Sequence, residues 1–397
     1  MPRRRVTLSP AFVRGLAHAC LGRGREECAR AVFEASLAGL CGGGRAVAVD
    51  SGRNALAAVL RALAPTPGAE VILPDYTLDS LALIVRDLGL RPVPVDVSAL
   101  DYSLDPDRVE AAITPRTAAI VATHLFGRPC DLDALQAIAE RHELSLIEDA
   151  AHALGAEYRG RPVGSTGRAA CLSFASIKLI HALGGGAVVT RDAGLAEAIR
   201  EDLAGEVSGA ALARTALATL AEEIAGHPRL FGLLAGPLLH RPALARTVQR
   251  VYRKAKKSGG RPAPRLMSAF QAALGREQIS ALEADAAARA RVAEVYRERL
   301  QGRVHLQATR SDDRPVHYAE VVRLDRPAEP VARALYARGV DAGSGSSVMQ
   351  SCSAALGQAP PPGSAALLEQ ALELPQSARM NEDDAHRVCD ALLEVLG

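Results

Sequence analysis

Between residues 45 and 190, short apolar runs alternate with stretches whose apolar positions repeat at helical spacing. The runs fall at 46–49, 70–73, 92–97, 118–122, 144–147, 171–174 and 187–190, and each reads as a strand. Amphipathic stretches at 54–64, 78–88 and 132–141 read as helices between them. This alternation predicts a mainly parallel, seven-stranded sheet with helices on both faces, an α/β fold. In such sheets ligands bind beyond the carboxyl ends of the strands. Two such positions are the Ser51-Gly-Arg-Asn54 turn and Asp149.

The pattern changes after residue 204. Residues 204–262 read as an Ala- and Leu-rich helical insert, broken at Gly226-His-Pro228 and Gly236-Pro237. Within it, 230–239 holds no charge, and a basic tract follows from Arg241 through Lys256 and Lys257 to Arg261. One reading of 226–262 is a peripheral membrane contact; the other is an insert packed on the body or on a partner subunit, with a solvated basic face. Ser258-Gly-Gly-Arg-Pro-Ala-Pro264 reads as a linker. Beyond it come a long helix over 266–300, a strand at 317–323, a helix at 330–338, a flexible 343–347 and a last helix at 382–396. The chain therefore divides into a large domain, 1–262, and a smaller α+β domain, 263–397, consistent with a length beyond one core.

Composition narrows the picture. Forty-seven basic against 45 acidic residues leave a net charge of +2, which argues against bulk nucleic-acid binding. Seven scattered cysteines, none in a CxxC pair, suggest a reducing cytoplasm rather than a disulfide framework or a zinc site. Met1-Pro-Arg-Arg-Arg lacks a following apolar segment, so it does not read as a signal peptide, and no apolar run is long enough to span a bilayer.

The candidate chemistry centres on Lys178. It closes Cys171-Leu-Ser-Phe-Ala-Ser-Ile-Lys178 and precedes Gly184-Gly-Gly186, an odd place for a solvated lysine. Asp149 ends a buried strand and needs a partner, either an arginine or a pyridinium N–H. Glu148 should face the other way, because strand side chains alternate. Ser173 is either a phosphate ligand or a strand serine satisfied by backbone. His152 is either a cofactor contact or structural. The exposed amides at Gly52, Arg53 and Asn54 suit a phosphate, while Ser51 equally suits a plain N-cap. An amine, a carboxylate and a hydroxyl together are what pyridoxal phosphate (PLP) requires.

Six motifs add a family resemblance. Glu70-Val-Ile-Leu-Pro-Asp-Tyr-Thr77, 92–97, Ala112-Ile-Thr-Pro-Arg-Thr117, His124-Leu-Phe-Gly127, Glu148-Asp-Ala-Ala-His152 and 173–178 resemble, in this order, the DegT-type sugar aminotransferases. The likeness resumes at 265–275 and at Leu374-Pro375. It implies PLP fold type I, the aspartate-aminotransferase-like architecture. It makes Lys178 the Schiff-base lysine and proton shuttle, Asp149 the partner of the pyridine nitrogen, and His152 the contact of the 3-hydroxyl. Ser173 with the amides of Gly52 and Arg53 would bind the phosphate. It also implies glutamate as donor, a keto or aldehyde acceptor, and a homodimer with active sites at the interface.

The chain departs from that pattern where relatives carry an aromatic stacked on the cofactor; here that residue is Leu78. Leu179 stands for the usual Asn, Gly184 for a Glu, and 343–347 lacks the usual His. The cofactor side matches the family and the substrate side is altered. Two other readings stay beside amino transfer to a sugar or lipid-like acceptor. One is another PLP reaction, dehydration or decarboxylation, although the retained lysine argues against the family's dehydratase branch. The other is a non-catalytic PLP-fold binding or regulatory protein, against which the intact lysine, aspartate and serine argue.

Overall fold

The structure is a computed structural model that describes residues 12–13, 26–226 and 264–397. All seven expected strands form one sheet: β1 (Arg45–Val49), β2 (Glu70–Pro74), β3 (Arg91–Val95), β4 (Thr117–Thr123), β5 (Ser145–Asp149), β6 (Ala169–Ser173) and β7 (Gly186–Thr190). Their order is β1-β7-β6-β5-β4-β2-β3, with β7 antiparallel to both neighbours and the other pairings parallel. Alternation splits each strand between two cores. Val47 and Val49 of β1 join one cluster, with Val71, Leu73, Val121 and Ile147; Ala46 and Ala48 join the other, with Ala170 and Leu172. Helices α1 (Glu26–Leu40) and α2 (Gly52–Leu63) cover opposite faces, Phe33 and Leu37 of α1 packing in the second cluster and Leu56 and Val59 of α2 in the first.

The C-terminal part carries a four-stranded antiparallel sheet of β8 (His305–Leu306), β9 (Glu320–Arg323), β10 (Gly343–Ser344) and β11 (Ala371–Leu374), in the order β8-β9-β11-β10. Helices Leu282–Leu300, Ala328–Ala337 and Glu382–Leu396 pack on it around Val322, Leu335, Leu374 and Val388. This is the α+β arrangement expected for that part of the chain.

Four expectations shift. The helix expected over 266–300 is two, Ala269–Ile279 and Leu282–Leu300. The first lies on α1 so closely that a Cβ on Gly275 would stand 2.7 Å from Phe33. The second starts beside the same core, at Leu282, and runs into the C-terminal core from Val292, with the helix interrupted at Ser280 and Ala281. The strand expected to reach 97 stops at Val95, because the Asp96 carboxylate caps helix Pro362–Gln370, accepting from the amides of Gly363 and Ser364 at 2.9 and 2.8 Å. The strand expected from 317 begins at Glu320, since His317 sits at φ 47°. Residues 343–347 are not a free loop: β10 pairs with Leu372 and Glu373, and Ser344 N donates to Ser347 Oγ at 3.0 Å.

Of the insert expected at 204–262, the structure describes helix Gly209–Gly226. The apolar run, the basic tract and the division at 262/263 lie outside the described residues. Among the described residues no helix is long and apolar enough to cross a membrane.

Candidate active site

β1, β2, β4, β5 and β6 run parallel, so their carboxyl ends and the start of α2 share one edge of the sheet. Asp149 ends β5 and Ser173 ends β6. Lys178 follows in a turn closed by its own amide on the Ala175 carbonyl at 2.9 Å. The chain then folds back: Ala182 N donates to Phe174 O at 3.1 Å, and Phe174 N to Gly185 O at 2.9 Å.

The three glycines after the lysine serve two purposes. Gly184 and Gly185 take φ of 96° and 99°, left-handed values that favour glycine. Gly186 answers to space instead. A Cβ there would stand 2.5 Å from Gly52 N and 2.6 Å from Leu172 O, both backbone atoms. Gly52 is equally confined, since its Cβ would lie 2.7 Å from Ser173 Cβ and 3.1 Å from Ser173 Oγ. The first turn of α2 therefore rests on Ser173 with no side chain between them.

Ser51 caps α2, accepting from Asn54 N at 3.1 Å. Asn54 donates its side-chain amide to Asp50 Oδ1 at 2.7 Å, bracing the turn. The first-turn amides, Gly52 among them, have no partner inside a helix by its geometry, and the positive end of the dipole adds to their pull on an anion.

Asp149 Oδ1 accepts from Ala151 N at 3.1 Å, and no arginine among the described residues pairs with it. Burial pushes its carboxyl up from the ordinary value, against the opposing pulls of the Ala151 amide and of Lys178. Glu148 does face the other way. Fully buried, it accepts from Gly164 N, Thr166 N and Gly167 N at 2.7, 2.8 and 2.7 Å, and pairs with His124 Nε2 at 3.1 Å. Cys130 N donates to His124 Nδ1 at 3.2 Å, which orients the ring's other nitrogen toward Glu148.

His152 follows on the turn after β5, its Nδ1 accepting from Phe126 N at 3.4 Å. It stacks on Tyr318 at 4.2 Å between ring centroids and 14° between planes. Lys178 Nζ in turn lies 5.1 Å from the Tyr318 ring centroid. The motif His124-Leu-Phe-Gly127 makes this meeting possible. Gly127 takes φ 88°, and a Cβ on it would stand 2.7 Å from Tyr318 N.

Leu78 lies on the loop after β2, 41% exposed. Tyr76 and Thr77 before it pair with Ser351 and Gln350, and Asp79 N after it donates to Gln350 Oε1 at 3.1 Å. The structure thus brings Gly52, Asp149, His152, Ser173 and Lys178 to one edge, with Arg53 and Asn54 in the first turn of α2 and Leu78 on a strand-end loop of that edge. Sequence reasoning missed Tyr318, and it noted His124 and Phe126 only as part of a family motif, without a place in the site. Tyr318 stood inside a stretch read only as a strand, and its one signal was rarity, since aromatics make up 3% of the chain.

A profile of the DegT/DnrJ/EryC1/StrS aminotransferase family matches residues 22–393. The chain is 35% identical over 370 residues to the dTDP-3-amino-3,4,6-trideoxy-alpha-D-glucose transaminase of Streptomyces venezuelae, covering 91% of this chain and 86% of that protein. It is 52% identical over 169 residues to the erythromycin biosynthesis sensory transduction protein EryC1 of Saccharopolyspora erythraea, a match spanning 42% of this chain and 46% of that protein. The solved structure of S. venezuelae DesV superposes with a TM-score of 0.78 at 31% identity, covering 100% of this chain and 99% of that one. On this architecture and this match, the chain belongs to the DegT/DnrJ/EryC1/StrS aminotransferase family.

Proposed function

We propose that the protein is a PLP-dependent aminotransferase that moves an amino group, with glutamate as donor, to a keto or aldehyde carbon of a sugar or nucleotide sugar. The observation that carries this reading is the convergence of Lys178, Asp149 and the Gly52–Ser173 contact at one strand edge. The residues fit a phosphorylated pyridine aldehyde. Gly52, whose missing Cβ would crowd Ser173, opens a cradle for the phosphate against the positive end of α2. Asp149, with its raised carboxyl, gains an ion pair from a pyridinium N–H and with it a reason to be buried. His152, its Nδ1 accepting from Phe126 N, offers a flat polar ring for the oxygen substituent of the pyridine ring.

When bound, PLP supplies an aldehyde for the lysine amine and a ring that takes up the electrons of a broken C–H bond. Lys178 would hold the cofactor, be released by the incoming amine, and carry the proton between the donor's α carbon and the cofactor's aldehyde carbon as base and then acid. Asp149 holds the ring nitrogen protonated. Leu78, exposed on its loop, would pack on the cofactor ring with its aliphatic side chain. Relatives support a sugar acceptor, among them the S. venezuelae transaminase and the GDP-perosamine synthase of Caulobacter vibrioides. We assign the chain to a cytoplasmic homodimer, checked by sedimentation of the purified protein.

The test is the visible spectrum. The protein with PLP should show the band of lysine-linked cofactor, and glutamate should convert it to the amine form. Lys178→Ala should lose the band yet retain cofactor without the covalent link. A band that ignores every amino donor would move the assignment to another PLP reaction, and a protein that gains no band would end the cofactor reading.

A further inference from the structure

The proposed chemistry leaves one neighbour of Lys178 without a task. Tyr318, with its ring centroid 5.1 Å from Nζ, comes from the C-terminal part of the chain, 140 residues beyond the lysine. Its ring is held from several sides. His152 stacks on it at 4.2 Å. The backbone on either side is bonded to the Phe126-Gly127 turn, Val316 N to Gly127 O at 3.0 Å and Ala319 N to Phe126 O at 3.4 Å. The Tyr318 carbonyl accepts from Arg289 Nη1 at 3.1 Å. The lysine, on four methylenes, is the mobile partner and the ring is the fixed one.

The contact is selective for one protonation state. A π face attracts an ammonium through its quadrupole and has far less hold on a neutral amine. Unlike a carboxylate, it offers the proton nowhere to go. Resting on the aminotransferase reading above, we propose that Tyr318 is a positioning residue that seats the Lys178 ammonium whenever that amine is not bonded to the cofactor. The seat keeps the proton taken from one carbon beside the site until it is returned to the next. It holds the amine loosely enough to let it rejoin the aldehyde once the proton is delivered.

Among the described residues, the titratable groups around this amine include Asp149 at the end of β5, His152 on the turn after it and the Tyr318 hydroxyl, with the Arg289 guanidinium on the Tyr318 carbonyl. Removing the ring takes away the third and the stacking partner of His152, whereas Tyr318→Phe takes away the hydroxyl alone. The experiment uses the full-length protein stripped of cofactor. PLP is added at a series of pH values and the rate of appearance of the visible band is recorded. The neutral amine adds to the aldehyde carbon and water leaves, so the rate follows the unprotonated fraction of Lys178. Tyr318→Leu should lower the pH midpoint by about half a unit, the loss of a modest cation–π contact. Tyr318→Met, a second ring-free substitution, should show the same fall, and Tyr318→Phe should keep the wild-type midpoint. Midpoints in Tyr318→Leu and Tyr318→Met equal to wild type would overturn the inference, as would a Tyr318→Phe midpoint shifted as far as theirs. A wild-type protein that forms no band sinks the cofactor reading and this inference with it. A wild-type band with unmoved midpoints sinks this inference alone.

Discussion

Replacing Arg128 by Met should be among the costliest single changes outside the catalytic groups. Arg128 is 8% exposed and reaches both oxygens of Glu320 at 3.0 and 2.8 Å. It also donates to Thr309 Oγ1 at 3.1 Å and Gln307 Oε1 at 3.2 Å, so one side chain ties the turn after β4 to three points of the C-terminal part. Burial pushes the Glu320 carboxyl up, but Arg128 and His317 more than offset it and bring it down from 4.5 to about 2. A depression of that size corresponds to about 3 kcal/mol of stability. Removing Arg128 leaves a buried carboxylate with only His317 beside it, which should cost about 3–5 kcal/mol. The sign with pH follows from a lowered acid. The contribution is complete above the unfolded value and fades as pH falls through the folded one. Urea unfolding near pH 7 and near pH 3 should therefore show the gap between wild type and Arg128→Met shrinking at the acid end. The double variant Arg128→Met with Glu320→Leu should recover most of the loss, because it leaves no buried charge unpaired. A single variant that loses under about 1 kcal/mol, or a double variant as unstable as the single, would refute the reasoning.

Gly186→Ala should be destabilised by about 1–3 kcal/mol and bind PLP weakly, because the clashing atoms, Gly52 N and Leu172 O, are backbone; thermal melts and PLP titration check both effects. Glu148→Gln puts an NH2 where one carboxylate oxygen now accepts backbone amides, so it should lose about 1–3 kcal/mol in urea unfolding; an unchanged midpoint would show the buried carboxylate to be dispensable. Asp149→Asn keeps the shape and removes the charge that holds the ring nitrogen. Turnover with glutamate should fall by about a hundredfold or more while far-UV circular dichroism stays unchanged; near-wild-type turnover would remove Asp149 from its role.

The large sheet was legible because most of its strands are buried on both faces and appear in the sequence as apolar runs; the edge strand Arg91–Val95, with only Val95 buried, is the exception. Strand ends were less legible where side chains have other tasks. Asp96 looked like the continuation of a strand until it proved to cap a helix 267 residues away. The break at Ser280 carried no Gly or Pro, so nothing local marked it; the second helix starts beside the same core as the first, at Leu282, and reaches the C-terminal core only from Val292. Lys178, Asp149 and Ser173 stood out because each ends a strand or sits beside glycines. Tyr318 did not, since its place depends on a left-handed Phe126-Gly127 turn that accepts a distant backbone, and nothing local to Tyr318 encodes that.

The C-terminal part reaches the site by two separate routes. One is the 316–320 segment, bonded to the Phe126–Arg128 turn and carrying Tyr318 beside Lys178. The other is the 350–353 segment, whose Ser351 hydroxyl and Ser353 amide donate to the buried Asp75 carboxylate at 3.1 and 2.6 Å while Gln350 and Ser351 pair with the loop that carries Leu78. A single attachment would act as a hinge; two attachments on different strand ends resist rotation. The cofactor-side groups sit on the rigid sheet edge, yet the ring beside the lysine and the loop bearing Leu78 are both tied to the C-terminal part. Substitutions there can alter the site without touching the strands that carry the lysine and the aspartate. That division allows the departures at Leu78 and in 343–347 to coexist with an intact set of Lys178, Asp149 and Ser173.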